Sequence, residues 1–178
     1  MTRYAVLLRA VNVGGHNKVP MARLREISER LGYSDVATYV QSGNLVVTAS
    51  PKAAAVEQAV AKALRAELDV DVDVIARTLP ELQAVMTANP FPHGVQEPTK
   101  LHVSFLTGAP TAPGVADLDG EKFGRERFAL GDRCLYLWYA DGAGRSKMGA
   151  APWERWLGVR GTARNWLTLQ TLVEMLAG

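Results

Sequence analysis

The sequence predicts an α+β chain made of two tandem ferredoxin-like domains of βαββαβ type, the second less regular. Three observations lead there. Over residues 3–78 the apolar spacing reads strand, helix, strand, strand, helix, strand, which is the ferredoxin-like order. From residue 79 onward a second helix–strand–strand–strand–helix series follows. No low-complexity tract separates them, and the boundary is expected near 77–79, giving domains 1–78 and 79–178.

Each element has a local reason. Residues 4–11 are rich in Val, Leu and Ala and read as a buried strand. A polar loop, Gly14-Gly15-His16-Asn17-Lys18, leads to Pro20 at a helix start. Leu24, Ile27 and Leu31 then recur at helical spacing, and Gly32 closes the helix. Residues 36–41 and 45–48 read as a hairpin around Ser42-Gly43-Asn44. Ser50 is the expected N-cap of a second helix, whose stripe is Val56, Val60, Leu64 and Leu68. Residues 70–77 alternate Val or Ile with Asp, as a half-exposed strand does.

In the second half, residues 82–86 read as helix, and Pro90, Pro92 and Pro98 mark a loop. Residues 101–106 read as a strand, and 109–120 as a Pro/Gly-rich connector. Residues 127–130 and 134–139 flank Gly131-Asp132 as a second hairpin. Trp153, Trp156 and Leu157 indicate a short helix. Thr162 is the expected N-cap of a last helix with the stripe Trp166, Leu169, Leu172, Val173 and Leu176.

Composition excludes several classes. The chain has 178 residues, is 48% hydrophobic and 21% charged, and carries a net charge of +2. That is globular composition, and the charge does not by itself imply nucleic acid. One cysteine, Cys134, excludes an internal disulfide framework, and three separated histidines offer no metal-ligand spacing. No metal and no cofactor are expected. No apolar run reaches membrane-spanning length and no signal peptide is seen, so a soluble, cytoplasmic protein is expected.

Two places draw attention as anion sites. Gly14 and Gly15 let backbone N–H groups approach an anion, with Lys18 adding charge and Asn12 and Asn17 adding donors. A plain strand-to-helix turn is the equal alternative. The second is Thr162-Ala163-Arg164-Asn165-Trp166, read as opening the last helix. A cation in a first helical turn opposes the helix dipole. Arg164 there would hold a phosphate or carboxylate, or pair with one of the protein's own acids. Residues 145–165 hold five cations and one acid, a local basic excess. Arg9 interrupts its strand, to bind a ligand or to pair across the sheet. The third strand lacks the aromatics of an RNA-recognition motif.

Leu8-Arg9-Ala10-Val11-Asn12-Val13-Gly14-Gly15, Pro20-Met21, Thr38-Tyr39, Gln41-Ser42-Gly43-Asn44, Asn89-Pro90-Phe91, Ser146-Lys147 and Thr162-Ala163-Arg164-Asn165-Trp166 together resemble the bacterial domain-of-unknown-function family 1697. The resemblance implies tandem ferredoxin-like domains and no assigned reaction. Its motif positions are Arg9, Asn12, Gly14, Gly15, Ser42, Gly43, Asn44, Ser146, Lys147, Thr162, Arg164, Asn165 and Trp166. Ala10 stands where that family is expected to carry glycine.

Three functions follow as expectations. The first is a binding protein for a phosphate-bearing small molecule, a nucleotide, with nucleic acid as a second possibility and no membrane partner. It requires the Gly14-Gly15 loop, Lys18, Lys147 and Arg164 to converge. The second is a phosphoryl- or acyl-group hydrolase of acylphosphatase-like geometry using Arg9, Asn12 and Asn44, an analogy at fold level. The third is a scaffold that self-associates through a free sheet face.

Overall fold

Two four-stranded antiparallel sheets, each with helices, make up the protein. The computed structural model describes residues 1–111, 118 and 121–178, so most of the connector expected at 109–120 lies outside the described residues. The chain divides into two compact units, Met1–Gln83 with Leu172–Gly178, and Ala84–Thr171.

The first unit runs β1 (Thr2–Leu8), α1 (Met21–Arg30), β2 (Ser34–Tyr39), β3 (Asn44–Ala49), α2 (Ala53–Leu68) and β4 (Val74–Thr78), followed by α3 (Leu79–Thr87). The strand order is β2-β3-β1-β4, with Val6 opposite Leu45 on one side and Ala76 on the other. Paired residues share a face. One face, with Tyr4, Val6, Leu8, Leu45 and Val47, packs on Leu24 and Ile27 of α1 and Val56, Val60 and Leu64 of α2.

Several local expectations hold for physical reasons. α1 closes in a Schellman arrangement: Gly32 at φ +83° donates to the Glu29 carbonyl at 2.9 Å, and Tyr33 donates to Ser28 at 3.2 Å. Others need correction. β1 ends at Leu8, so Arg9 follows the strand rather than interrupting it; Ala10 turns to φ +52° and the chain leaves the sheet. Ser50 does not cap α2, which begins after Lys52 with no side-chain cap. Residues 70–73 precede β4, because only Val74 onward pairs with β1. The second sheet face is not free: Ala5, Leu7, Val46 and Ile75 are all buried.

The second unit contains a 3-10 turn (Pro92–Gln96), then β5 (Leu101–Leu106), β6 (Arg127–Gly131), β7 (Cys134–Trp138), α4 (Trp153–Leu157), β8 (Gly161–Asn165) and the start of α5 (Trp166–Ala177), whose residues from Leu172 onward count with the first unit. Its strand order is β6-β7-β5-β8, the same spatial order as the first sheet when strands are counted within each half. Leu135, Leu137 and Tyr139 meet Leu106, Met148 and Leu157 on one face, with Trp153 and Phe128 packed against them.

The main departure is β8. Thr162 is not a helix cap; Gly161–Asn165 is an edge strand paired with β5, Thr162 opposite Phe105 and Arg164 opposite Val103. Five residues with one β-branched side chain carry little strand propensity, so the pairing with β5 decides. Asn165 takes the capping role instead, accepting the Thr168 N–H at 2.9 Å. The hairpin turn also shifts by one: Gly131 pairs with Cys134, and Asp132 and Arg133 form the turn.

Candidate functional site

The glycine- and asparagine-rich loops of the first unit form one hydrogen-bonded assembly. Val13 and His16 bridge across Gly14 and Gly15, whose φ values of +58° and +79° fit a tight two-residue turn. Asn12 ties this loop down: its Oδ1 accepts the Val19 N–H at 2.9 Å, and its amide donates to Val19 O at 2.9 Å and Gln41 O at 2.7 Å. Asn17 donates to the Ala10 carbonyl at 3.1 Å. Leu8 donates to Gly43 O at 2.9 Å. A Cβ at Gly43 would lie 2.5 Å from Val11 and 2.8 Å from Leu8, so no side chain fits. Asn44 is fully buried, and its amide reaches Tyr39 O and Ser42 Oγ. Arg9, Asn12, Gly14, Gly15, Asn17, Ser42, Gly43 and Asn44 are thus brought to one end of the first unit. The Asn12 amide is spent on the backbone there, and the Asn44 amide on the Tyr39 carbonyl and the Ser42 hydroxyl. Lys18 is exposed beside them.

Arg164 sits in a different setting from the one expected. It is 7% exposed in edge strand β8, and its guanidinium donates to Thr162 Oγ1 at 2.8 Å and to the Ala163 carbonyl at 2.9 Å. Burial presses its pKa down to about 10, which leaves it charged at neutral pH. The first unit repeats the device. Arg77 is 4% exposed in edge strand β4 and donates to the Ala76 carbonyl at 2.9 Å, with Glu57 at 4.0 Å. Glu57 also accepts the Ala76 N–H at 2.8 Å. Ala76-Arg77-Thr78 and Ala163-Arg164-Asn165 therefore occupy matching places at the ends of the two edge strands. A buried charge covering an edge carbonyl blunts an edge against further strand pairing. Trp166 opens α5, buried, with its backbone N–H on Pro98 O at 3.0 Å.

Ser146 and Lys147 lie elsewhere. They line a cleft of about 450 Å³ in the second unit, with Lys122, Phe123, Arg125, Glu126, Asp141 and Arg145. Arg125 pairs with Asp141. Glu126 is nearly buried and accepts the Ser146 hydroxyl at 2.7 Å, while Ser146 Oγ accepts the Gly149 N–H at 2.9 Å. Tyr139 stands behind Glu126; burial first, and then the Glu126 charge, push its phenol up to about 12. His102 meets Tyr139 edge-on at 5.0 Å, and burial lowers its pKa against a smaller opposing effect of the Lys100 backbone. Both acids of the cleft are thus engaged. Among the described residues Arg145 and Lys147 have no acidic partner, and Lys122 lies over the Trp156 ring at 4.6 Å.

Lys147 and Arg164 do not converge. By register Arg164 shares a sheet face with Val103 and Tyr136, whereas the cleft adjoins Tyr139 and Met148 on the Leu135/Leu137 face. Sequence reasoning found Ser146 and Lys147 but missed Glu126, Lys122 and Phe123. Nothing local marks Glu126; its partner is 20 residues away. The cation excess at 145–165 and the Ser146-Lys147 motif are the sequence signals that point to this region.

The fold and these sites define a two-unit α+β protein with a basic cleft in its second half. The chain belongs to the family described as "Protein of unknown function (DUF1697)", which it matches over residues 1–136. That span covers the first-unit loops, Glu126 and most of β7; Ser146 and Arg164 lie beyond it. Among solved structures it is similar to the conserved bacterial protein SP0830 from Streptococcus pneumoniae, with a TM-score of 0.78 and 24% identity over 98% of each chain. That likeness speaks to fold alone. No curated protein matches significantly. Among the described residues no helix is long and apolar enough to cross a membrane.

Proposed function

We propose that this is a binding protein for a phosphate-bearing small molecule, built on two ferredoxin-like halves and holding its ligand in the cleft of the second unit. The observation that carries the reading is the charge inventory of that cleft. Arg125 is matched by Asp141, and Glu126 is turned to Ser146, which leaves Arg145 and Lys147 for an anion. The ferredoxin-like assignment draws on the strand order β2-β3-β1-β4 and its repetition in the second sheet.

The other readings draw less support. An acylphosphatase-like hydrolase needs an asparagine that orients water, and the Asn44 amide is buried on Tyr39 and Ser42. A scaffold using a free sheet face needs an exposed face, and Ala5 and Leu7 are fully buried.

Thermal unfolding across inorganic phosphate, sugar phosphates and nucleotides tests the proposal. A ligand at about a hundred times its Kd adds roughly 2.7 kcal/mol, or roughly 5–10 °C in midpoint for a chain of this size. The wild type shows that shift, and Arg145→Ala/Lys147→Ala loses it while Arg164→Lys keeps it. A flat response to every phosphate compound, or an undiminished shift in the double variant, overturns it.

A further inference from the structure

Beside the cleft lies a group of aromatic rings that anion binding does not use. The chain contains four Trp and four Phe, and half of these eight rings form one half-buried patch: Phe123, Phe128, Trp153 and Trp156. Phe123 lines the cleft itself. It stands 6.1 Å from Trp153 and 6.4 Å from Trp156, ring centre to ring centre, and only 34° from parallel to Trp156. Phe123, Phe128 and Trp153 rest against the apolar core of the unit, but Trp156 is not among the rings packed there. Trp153 spends its indole N–H on Met148 O at 2.8 Å. Among the described residues the indole N–H of Trp156 has no partner, and one face of the ring carries Lys122.

We infer that the ligand of this cleft is a mononucleotide, its nucleobase laid against Phe123 and Trp156 and its phosphate held by Arg145 and Lys147. The inference rests on the anion reading of the same cleft and adds the chemistry of the other end. Flat π-faces take any nucleobase by stacking. Lys122 covers one face of Trp156; a base that takes its place keeps the ring covered and frees the ammonium for the phosphate. The Trp156 N–H supplies an edge donor for the base. A volume of about 450 Å³ suits one small ligand.

Calorimetric titration of the full chain with AMP, ribose phosphate, adenosine and a single-stranded oligonucleotide tests it. AMP binds on the order of tenfold tighter than ribose phosphate, the usual scale of one base stacked on an aromatic ring. Phe123→Leu and Trp156→Leu each remove that advantage and leave ribose phosphate binding unchanged, which also reports that the variants are folded. Equal binding of AMP and ribose phosphate by the wild type overturns the inference and leaves the anion site standing. Retention of the AMP advantage in both variants overturns it as well. Failure of AMP and ribose phosphate alike overturns the anion reading itself. An oligonucleotide that binds more tightly than AMP overturns the mononucleotide and makes the cleft part of a longer nucleic-acid track.

Discussion

The two sheets share a strand order and an edge arginine, yet they are covered differently. The first is packed on two helices of 10 and 16 residues, whose stripes fill its core with aliphatic side chains. The described cover of the second includes a helix of five residues and a group of half-buried aromatic rings. Long helices seal a sheet face with interdigitated branched side chains. Rings and a short helix leave irregular edges, and the basic cleft opens there. One topology thus yields a tightly packed half and a half with room for a ligand.

The edge arginines test how deep the likeness goes. Arg77→Ala strips the buried Ala76 carbonyl of a donor, Arg164→Ala does the same to the exposed Ala163 carbonyl and the buried Thr162 hydroxyl, and each removes a packed side chain, an expected loss of about 2–4 kcal/mol. Urea unfolding of the two variants checks this. Similar losses make the arginines one repeated device; a loss confined to Arg77→Ala would break the comparison.

The glycines of the first unit sharpen it next. Gly43→Ala drives a methyl into Val11 and Leu8 at φ +76°, and an expected cost of about 2–3 kcal/mol follows. Gly15→Ala, at φ +79° with nothing within 4 Å, costs only about 1 kcal/mol. Thermal midpoints separate the two; equal effects would mean that the Gly43 contact relaxes freely.

The effect of pH falls on the second unit. His102 has its pKa lowered from 6.5 by burial, so the folded state resists protonation more than the unfolded chain does. Stability is full above pH 6.5 and declines as pH falls below it. Tyr139 is raised from 10.0 to about 12, so its contribution is full below pH 10 and is lost as pH climbs through 12. Midpoints of wild type, His102→Gln and Tyr139→Phe from pH 4 to 12 read this out. The acid slope flattens in the first variant and the alkaline slope in the second; unchanged slopes would remove both groups from the account.

How much of this was written locally can be judged from particular residues. The helices announced themselves through Leu24, Ile27, Val56, Val60 and Leu64, because burial at period 3.6 is a local pattern. Gly32 gave its Schellman turn for the same reason. The loop residues Asn12, Gly43 and Asn44 stand out in the sequence only as polar or glycine turn residues, and their role as hydrogen-bonded ties emerges only when the β1–α1 loop meets the β2–β3 turn. Arg164 was misplaced because Thr162 resembles a cap, and no local rule says that β5 will claim the segment as a strand.

By itself the sequence determined the α+β class, the order of elements in the first half, the turn chemistry at Gly32 and Gly43, and the basic excess after residue 145. These depend on propensity, periodicity and charge, which act over a few residues. Tertiary structure alone decided that Gly161–Asn165 is an edge strand, that Arg77 and Arg164 are matched buried cations, and that Glu126 meets Ser146. Each of those joins residues distant in the chain, and only packing sets which of them meet.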